Sequence, residues 1–185
     1  MKPILLLGIV LLVSACENEL PVAGSWTRGC ARNNDLQSEK SVYTFSNSGQ
    51  LTVAASLYDG PSCGARVNVA VSSYSFTLAG PAAQPAGAQE LNLTQIAEKV
   101  TPFTDMFTAS WNAISFCGRN DYVTDRESDI TGRGCFTAGT KIYTVYALDG
   151  ASLYLGGLVV SGSGPGADES QRFDTLNRDL PLLRQ

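Results

Sequence analysis

SVYTFSNSGQLTVAASLY, residues 41–58, is the stretch that decides the fold. Its first part, Ser41 to Ser46, is rich in β-branched and aromatic residues, which fit a pleated, half-buried surface. Asn47-Ser48-Gly49 supplies the residue types that tolerate tight turns. The second part alternates, with Leu51, Val53, Ala55 and Leu57 on one face and Thr52, Ala54, Ser56 and Tyr58 on the other. Two period-two runs around a short Asn/Gly turn predict a β-hairpin with one face buried.

The same pattern recurs outward from this hairpin. Lys141 to Leu148 alternates, Asp149-Gly150 turns, and Ser152 to Val160 returns, setting Tyr143, Val145 and Ala147 against Ile142, Thr144, Tyr146 and Leu148. Val67 to Leu78 is a long strand whose parity changes midway: Val67, Val69 and Val71 share one face, and Tyr74, Phe76 and Leu78 belong to the other register. A β-bulge near Ser72-Ser73 would reconcile the two halves. Leu91 to Val100 fits strand or helix by spacing, and its Thr and Asn favour strand. Phe103 to Phe116 is expected to be a long strand, with Phe103, Phe107 and Trp111 on one face and Met106, Ile114 and Phe116 on the other. Gly24 to Cys30 begins the first ordered segment with Trp26 turned inward, and Gln37 to Lys40 reads as polar loop. The total is about eight strands with no long helix, which suits a closed antiparallel up-and-down barrel or a sandwich. Eight strands leave an interior that holds side chains or one small ligand.

The N-terminus carries a different signal. In MKPILLLGIVLLVSAC, Lys2 is a short positive region and Ile4 to Val13 an apolar run too short to span a bilayer. Small residues then lead to Cys16, as in a secretory signal with its cleavage site. A cysteine at that place resembles the lipobox of bacterial lipoproteins. The resemblance implies cleavage before Cys16, acyl chains on it, and, with Glu17 rather than Asp next, sorting to the outer membrane of the cell envelope. The expected organisation is a lipoprotein signal over 1–15, a lipidated tether over 16–23, a barrel domain over 24–160, and a Gly/Ser-rich linker with a polar tail over 161–185.

Composition narrows the chemistry. The net charge of −4 grows one unit more negative when Lys2 leaves with the signal. An acidic chain lacks the basic patches that nucleic acid requires, so the expected partners are the membrane, through the acyl chains, and a small ligand. With Cys16 taken by lipid, Cys30, Cys63, Cys117 and Cys135 remain. An even number in an exported chain reads as two disulfides. Four cysteines allow three pairings, and sequence proximity favours Cys30–Cys63 with Cys117–Cys135. The chain has no histidine, so no Ser-His-Asp triad, Cys-His pair or histidine metal site exists. Asp121, Asp125, Glu127 and Asp129 lie in the polar run between Cys117 and Cys135. Counted from Asp125, the sixth and twelfth places of an EF-hand are Ile130 and Phe136, so that pattern fails. No cofactor, metal or catalytic group is expected, and the chain does not read as an enzyme.

Three stretches together carry a family resemblance. They are Gly24-Ser25-Trp26 with Cys30; Tyr43-x-Phe45 followed by Tyr58-Asp59 and Cys63; and Leu153-Tyr154-Leu155-Gly156-Gly157 with Arg172 downstream. Their order resembles the extracellular domains of the adenomatosis-polyposis-coli-down-regulated Wnt inhibitors and their bacterial relatives. The resemblance implies a lipocalin-like β-barrel with an apolar cavity for a lipid group. It also implies Trp26 as a plug at one end of the barrel, with Arg172 as the arginine that packs over it. A Gly/Ser-rich insert before Arg172 departs from that pattern, and no ligand-contact set carries over. The aromatic residues at inward positions, Tyr43, Phe45, Tyr74, Phe76, Phe107 and Trp111, are the candidate lining of such a cavity. If they instead fill the core, the chain is a structural or interaction lipoprotein with a solid barrel.

Overall fold

The protein is described here from a computed structural model covering residues 19–158 and 164–185. The proposed lipid site at Cys16 and the signal before it lie outside the described residues. Nine strands and one α-helix are formed among them: β1 (Gly24–Arg32), β2 (Gln37–Phe45), β3 (Gln50–Asp59), β4 (Arg66–Pro81), β5 (Gln89–Pro102), α1 (Asp105–Ala113), β6 (Ser128–Asp129), β7 (Lys141–Asp149), β8 (Ser152–Leu155) and β9 (Leu182–Arg184). Eight of them close an antiparallel barrel in the order β1-β2-β3-β4-β5-β7-β8-β9 and back to β1; β6 adds two residues to β5. The fold is thus the all-β, eight-stranded closed barrel expected from the alternating runs, and it carries the disulfides Cys30–Cys63 and Cys117–Cys135.

The hairpin of residues 41–58 is the frame of the barrel. Phe45 stands opposite Leu51, and Tyr43 opposite Val53. Opposite residues in a ladder share a face, so this register sends all four inward together. At this turn end the interior is closed by apolar packing of Val22, Trp26, Phe45, Leu51, Phe76, Leu91, Leu153 and Leu182. Phe45 and Phe76 meet edge to face at 5.3 Å, a favoured aromatic geometry. The indole N–H of Trp26 donates to the Val22 carbonyl at 2.8 Å, which satisfies the one polar atom this buried ring carries.

Several expectations need correction. Gln37 to Lys40 is strand, not loop: it pairs with Ser56 to Asp59. Its polar residues are held by specific bonds, with the Ser38 hydroxyl donating to the Gly60 carbonyl at 2.7 Å and accepting from the Cys63 N–H at 2.8 Å. Phe103 to Phe116 is not a long strand, since Asp105–Ala113 is helical. Phe103, Phe107 and Trp111 are four residues apart, and that spacing lines up a helix face as well as a strand face. The start signal was Thr104, whose hydroxyl accepts from the Phe107 N–H as an N-cap, with Asp105 in the first turn.

The segment expected as linker and polar tail supplies part of the barrel, which therefore extends beyond the expected 24–160. Leu182–Arg184 is a barrel strand between β1 and β8, with Leu182 opposite Leu153 and Arg184 opposite Trp26. Nor do residues 19–23 act as a tether alone: Val22 and Ala23 are buried against the closed end. The bulge expected near Ser72-Ser73 falls on β5, and β4 is irregular only toward its ends, at Val67 and Ala79. Ser73 pairs with Ala97 and Tyr74 with Gln95, leaving Ile96 as the extra residue, while β4 runs against β3 in unbroken register from Gln50–Ser75 to Leu57–Asn68.

Candidate functional site

The position of that bulge determines the chemistry of the barrel mouth. Because β4 keeps its parity, the residues that share the inner face with Tyr74, Phe76 and Leu78 are Asn68, Ala70 and Ser72. Val67, Val69 and Val71 point the other way. Across the ladder, Glu98 stands opposite Ser72 and Gln95 opposite Tyr74. On β2 and β1 the inner face beyond Tyr43 continues with Ser41, paired to Arg28. The interior therefore changes character along its axis, from apolar at the β2–β3 turn to polar at the opposite end.

The polar half encloses space. A cavity of about 380 Å³ is lined by Ser72, Tyr74, Gln95, Glu98, Thr140, Ile142 and Leu158 together with the Cys135–Thr137 segment. A second, of about 220 Å³, adjoins it through Glu98, Cys135 and Phe136, and is walled by Val100, Trp111, Phe116 and Ile130. A larger cleft of about 510 Å³ lies along residues 164–175 outside the barrel. It borders only that connecting segment, so it belongs to the surface and not to the barrel interior.

Glu98 is the unusual group in the mouth. Its Oε2 is buried and has no hydrogen-bond partner. Burial raises its pKa above the ordinary carboxylate value, and the Ser72 hydroxyl beside it opposes the rise. Tyr74 and Tyr43 are likewise pushed up by burial. Arg28 pulls Tyr43 back down, and Ser41 donates to Glu39 at 2.6 Å in the same region.

A lid covers this end. Helix α1 lays Trp111 over Val100 and Ala70, where it meets Phe116 stacked at 4.6 Å and Tyr122 edge-on at 5.1 Å. The Asn112 side chain accepts from the Tyr122 N–H and donates to the Tyr122 carbonyl, as a strand partner would. The Cys117–Cys135 run is therefore not merely a solvated loop. It buries Tyr122 and Ile130, Phe136 just after it is buried as well, and the disulfide ties it down. Three of its four acids are engaged: Asp121 pairs with Arg119 at 2.8 Å, Glu127 with Lys99 of β5 at 2.7 Å, and Asp129 caps the Thr131 N–H. Among the described residues no group of three His, Cys, Asp or Glu side chains is placed to hold a metal.

No family model and no curated protein matches the chain.

The six aromatic residues expected to line one cavity separate into three roles. Tyr74 lines the mouth cavity and Trp111 the adjoining one. Tyr43, Phe45 and Phe76 are packed in the barrel core. Phe107 lies outside it, against Trp111 at 5.1 Å. Trp26 sits in the closed end, but the cation over its ring is Arg184, at 5.2 Å, and not Arg172. Arg184 Nη2 also donates to the Ala23 carbonyl at 2.7 Å. Arg172 holds the outside wall instead. Its guanidinium donates to Asn92 Oδ1 at 2.7 Å and the Thr144 carbonyl at 3.0 Å, pairs with Glu90 at 3.1 Å, and lies 5.5 Å from the Tyr143 ring. It clips residues 164–177 across β5 and β7, which explains why β7 is buried on both faces. Ser72, Gln95 and Glu98 were not legible as site residues, because a polar residue in an alternating strand reads as solvent-facing until the partner strand's register is known.

Proposed function

We propose that the protein is a lipid-anchored envelope lipoprotein whose lipocalin-like barrel binds a small amphipathic molecule at its mouth, without catalysing a reaction. The observation that carries this reading is the cavity of about 380 Å³ in the lidded end of the barrel, polar at Ser72, Tyr74, Gln95 and Glu98 and floored by the apolar core. Its size and mixture of apolar wall with a few convergent polar groups are those of small-molecule sites. The closed half is filled by side chains, so the ligand sits at the mouth and does not thread the barrel. The resemblance to lipid-holding lipocalin-like domains supports the same reading.

The anchor fits this geometry. The Leu20 N–H bonds the Asn47 side chain at the β2–β3 turn, so the chain enters the barrel at its closed end. Three residues separate Cys16 from Leu20, a reach of about 14 Å at most. With acyl chains on Cys16 in the outer membrane, the closed end faces the lipid and the mouth opens away from it. No helix among the described residues is long and apolar enough to cross a membrane.

The test uses the Cys16→Ala chain in detergent-free buffer. It should leave the membrane fraction and take up the neutral fluorophore N-phenylnaphthylamine at micromolar concentration. Absence of uptake, with a folded barrel, refutes ligand binding and leaves the structural lipoprotein. Retention of the variant in membranes refutes the anchor.

A further inference from the structure

We infer that the barrel mouth is a site for a small organic cation, a protonated amine carrying an apolar body, with the Glu98 carboxylate as its counter-ion. This rests on the ligand-binding reading above and names the class of ligand. Among the described residues, Glu98 is the only charged side chain lining either of the two adjoining cavities. Val159 to Ser163, which follow Leu158 in sequence, carry no charge either. Arg28 lines neither space.

An anionic head such as a carboxylate or phosphate would thus meet one like charge and no cation. Ser72 bonds the half-buried Glu98 carboxylate, but nothing compensates its charge, and a cation brought against it offsets that cost. The unpartnered Oε2 is the acceptor that such a head would use. A neutral hydroxyl would satisfy the hydrogen bond but leave the charge uncompensated. The rest of the wall suits the same ligand: Tyr74 and Phe136 line the cavity with Glu98, and Trp111, Phe116 and Phe136 line the adjoining one, aromatic carbon that tolerates an ammonium far better than an anion. The net negative charge of the chain draws cations toward it.

The experiment is competition for bound N-phenylnaphthylamine by octylamine, octanol and octanoate at neutral pH, with the Cys16→Ala chain. Octylamine should displace the probe at concentrations roughly tenfold lower than octanoate, with octanol between them. In a further Glu98→Gln variant the preference for octylamine over octanoate should collapse to about twofold or less. Probe binding in which octanoate competes as well as octylamine overturns the inference and leaves the ligand-binding reading standing. So does a preference for octylamine that survives in Glu98→Gln, since it then arises from general surface charge. No probe binding at all refutes both. If Glu98→Gln does not fold, repeating the competition at about 0.5 M salt keeps the test: a preference that survives screening arises at the site, and one that vanishes arises from surface charge and overturns the inference.

Discussion

Leu182 and Leu183 are neighbours in sequence and opposites in structure, and this gives a sharp test of how the barrel closes. Leu182 is 1% exposed in the closed-end core, opposite Leu153, while Leu183 is 52% exposed. Leu182→Ala removes three carbons' worth of apolar burial, about 2.4 kcal/mol. The rigid neighbours on β1 and β8 cannot collapse fully onto the space. A residual cavity of about 50 Å³ adds about 1 kcal/mol at the usual cost per volume. The expected loss is therefore about 3.5 kcal/mol, a large part of the stability of an ordinary domain. Leu183→Ala should change stability by less than about 0.5 kcal/mol. Urea unfolding with the disulfides intact, followed by tryptophan fluorescence, measures both. With a slope of about 2 kcal/mol/M, the first variant lowers the midpoint by about 1.7 M and the second leaves it nearly unchanged. Equal effects, or a Leu182→Ala loss below about 0.5 kcal/mol, would refute the placement of residues 182–184 as a barrel strand.

Other perturbations separate the remaining parts. Arg172→Met removes the clip on residues 164–177 and leaves Glu90 unpaired, at a cost of about 3 kcal/mol; hydrogen exchange should rise in that segment and in β7 while β2 and β3 stay protected. Uniform loosening would contradict the clip. Glu98→Gln should make stability less dependent on pH. Because burial raises the native pKa of Glu98, its favourable contribution is complete below the unfolded carboxylate range and disappears as pH rises through the native value, where the charge becomes a burden. Glu98→Gln should therefore raise the Tm near neutral pH and have little effect below about pH 4; a lowered Tm at neutral pH would mean that the carboxylate is a structural partner. Replacing Cys117 and Cys135 together by serine opens a bridge of sequence separation 18, worth about 3 kcal/mol. Thermolysin should then cut first between residues 117 and 135, and first cleavage within the barrel strands would be the wrong outcome.

Two design features explain one another in this molecule. The barrel is filled at the end where the chain enters and hollow at the end covered by α1 and the Cys117–Cys135 run. A filled end gives the fold its apolar core and a fixed base; the hollow end holds a half-buried carboxylate with one oxygen, Glu98 Oε2, that has no hydrogen-bond partner. Such a group costs stability, and proteins keep such costs chiefly where a site requires them.

Local pattern alone determined much of this protein. Alternation in Ser41–Tyr58, Val67–Leu78 and Lys141–Leu155 identified strands, because a two-residue repeat has one structural meaning when one face is buried, and residue type decided Leu91–Val100. Their number and short turns pointed to a closed antiparallel sheet, and cysteine proximity pointed to both disulfides. Other features depended on contacts distant in sequence. Leu182–Arg184 is too short to carry a pattern, and only the open gap between β1 and β8 makes it a strand. Residues 103–116 carry a four-residue spacing that serves helix and strand alike, and the Thr104 cap with the mouth beneath α1 decides between them. Arg184 reaches Trp26 because β9 lies beside β1, a pairing across most of the chain. Above all, the polar interior was hidden. Ser72 faces the cavity because β4 keeps its parity with Tyr74, and Glu98 does so because a single extra residue at Ile96 shifts β5 against it. Side-chain period gives each strand two faces; only the closed barrel decides which of them is inside.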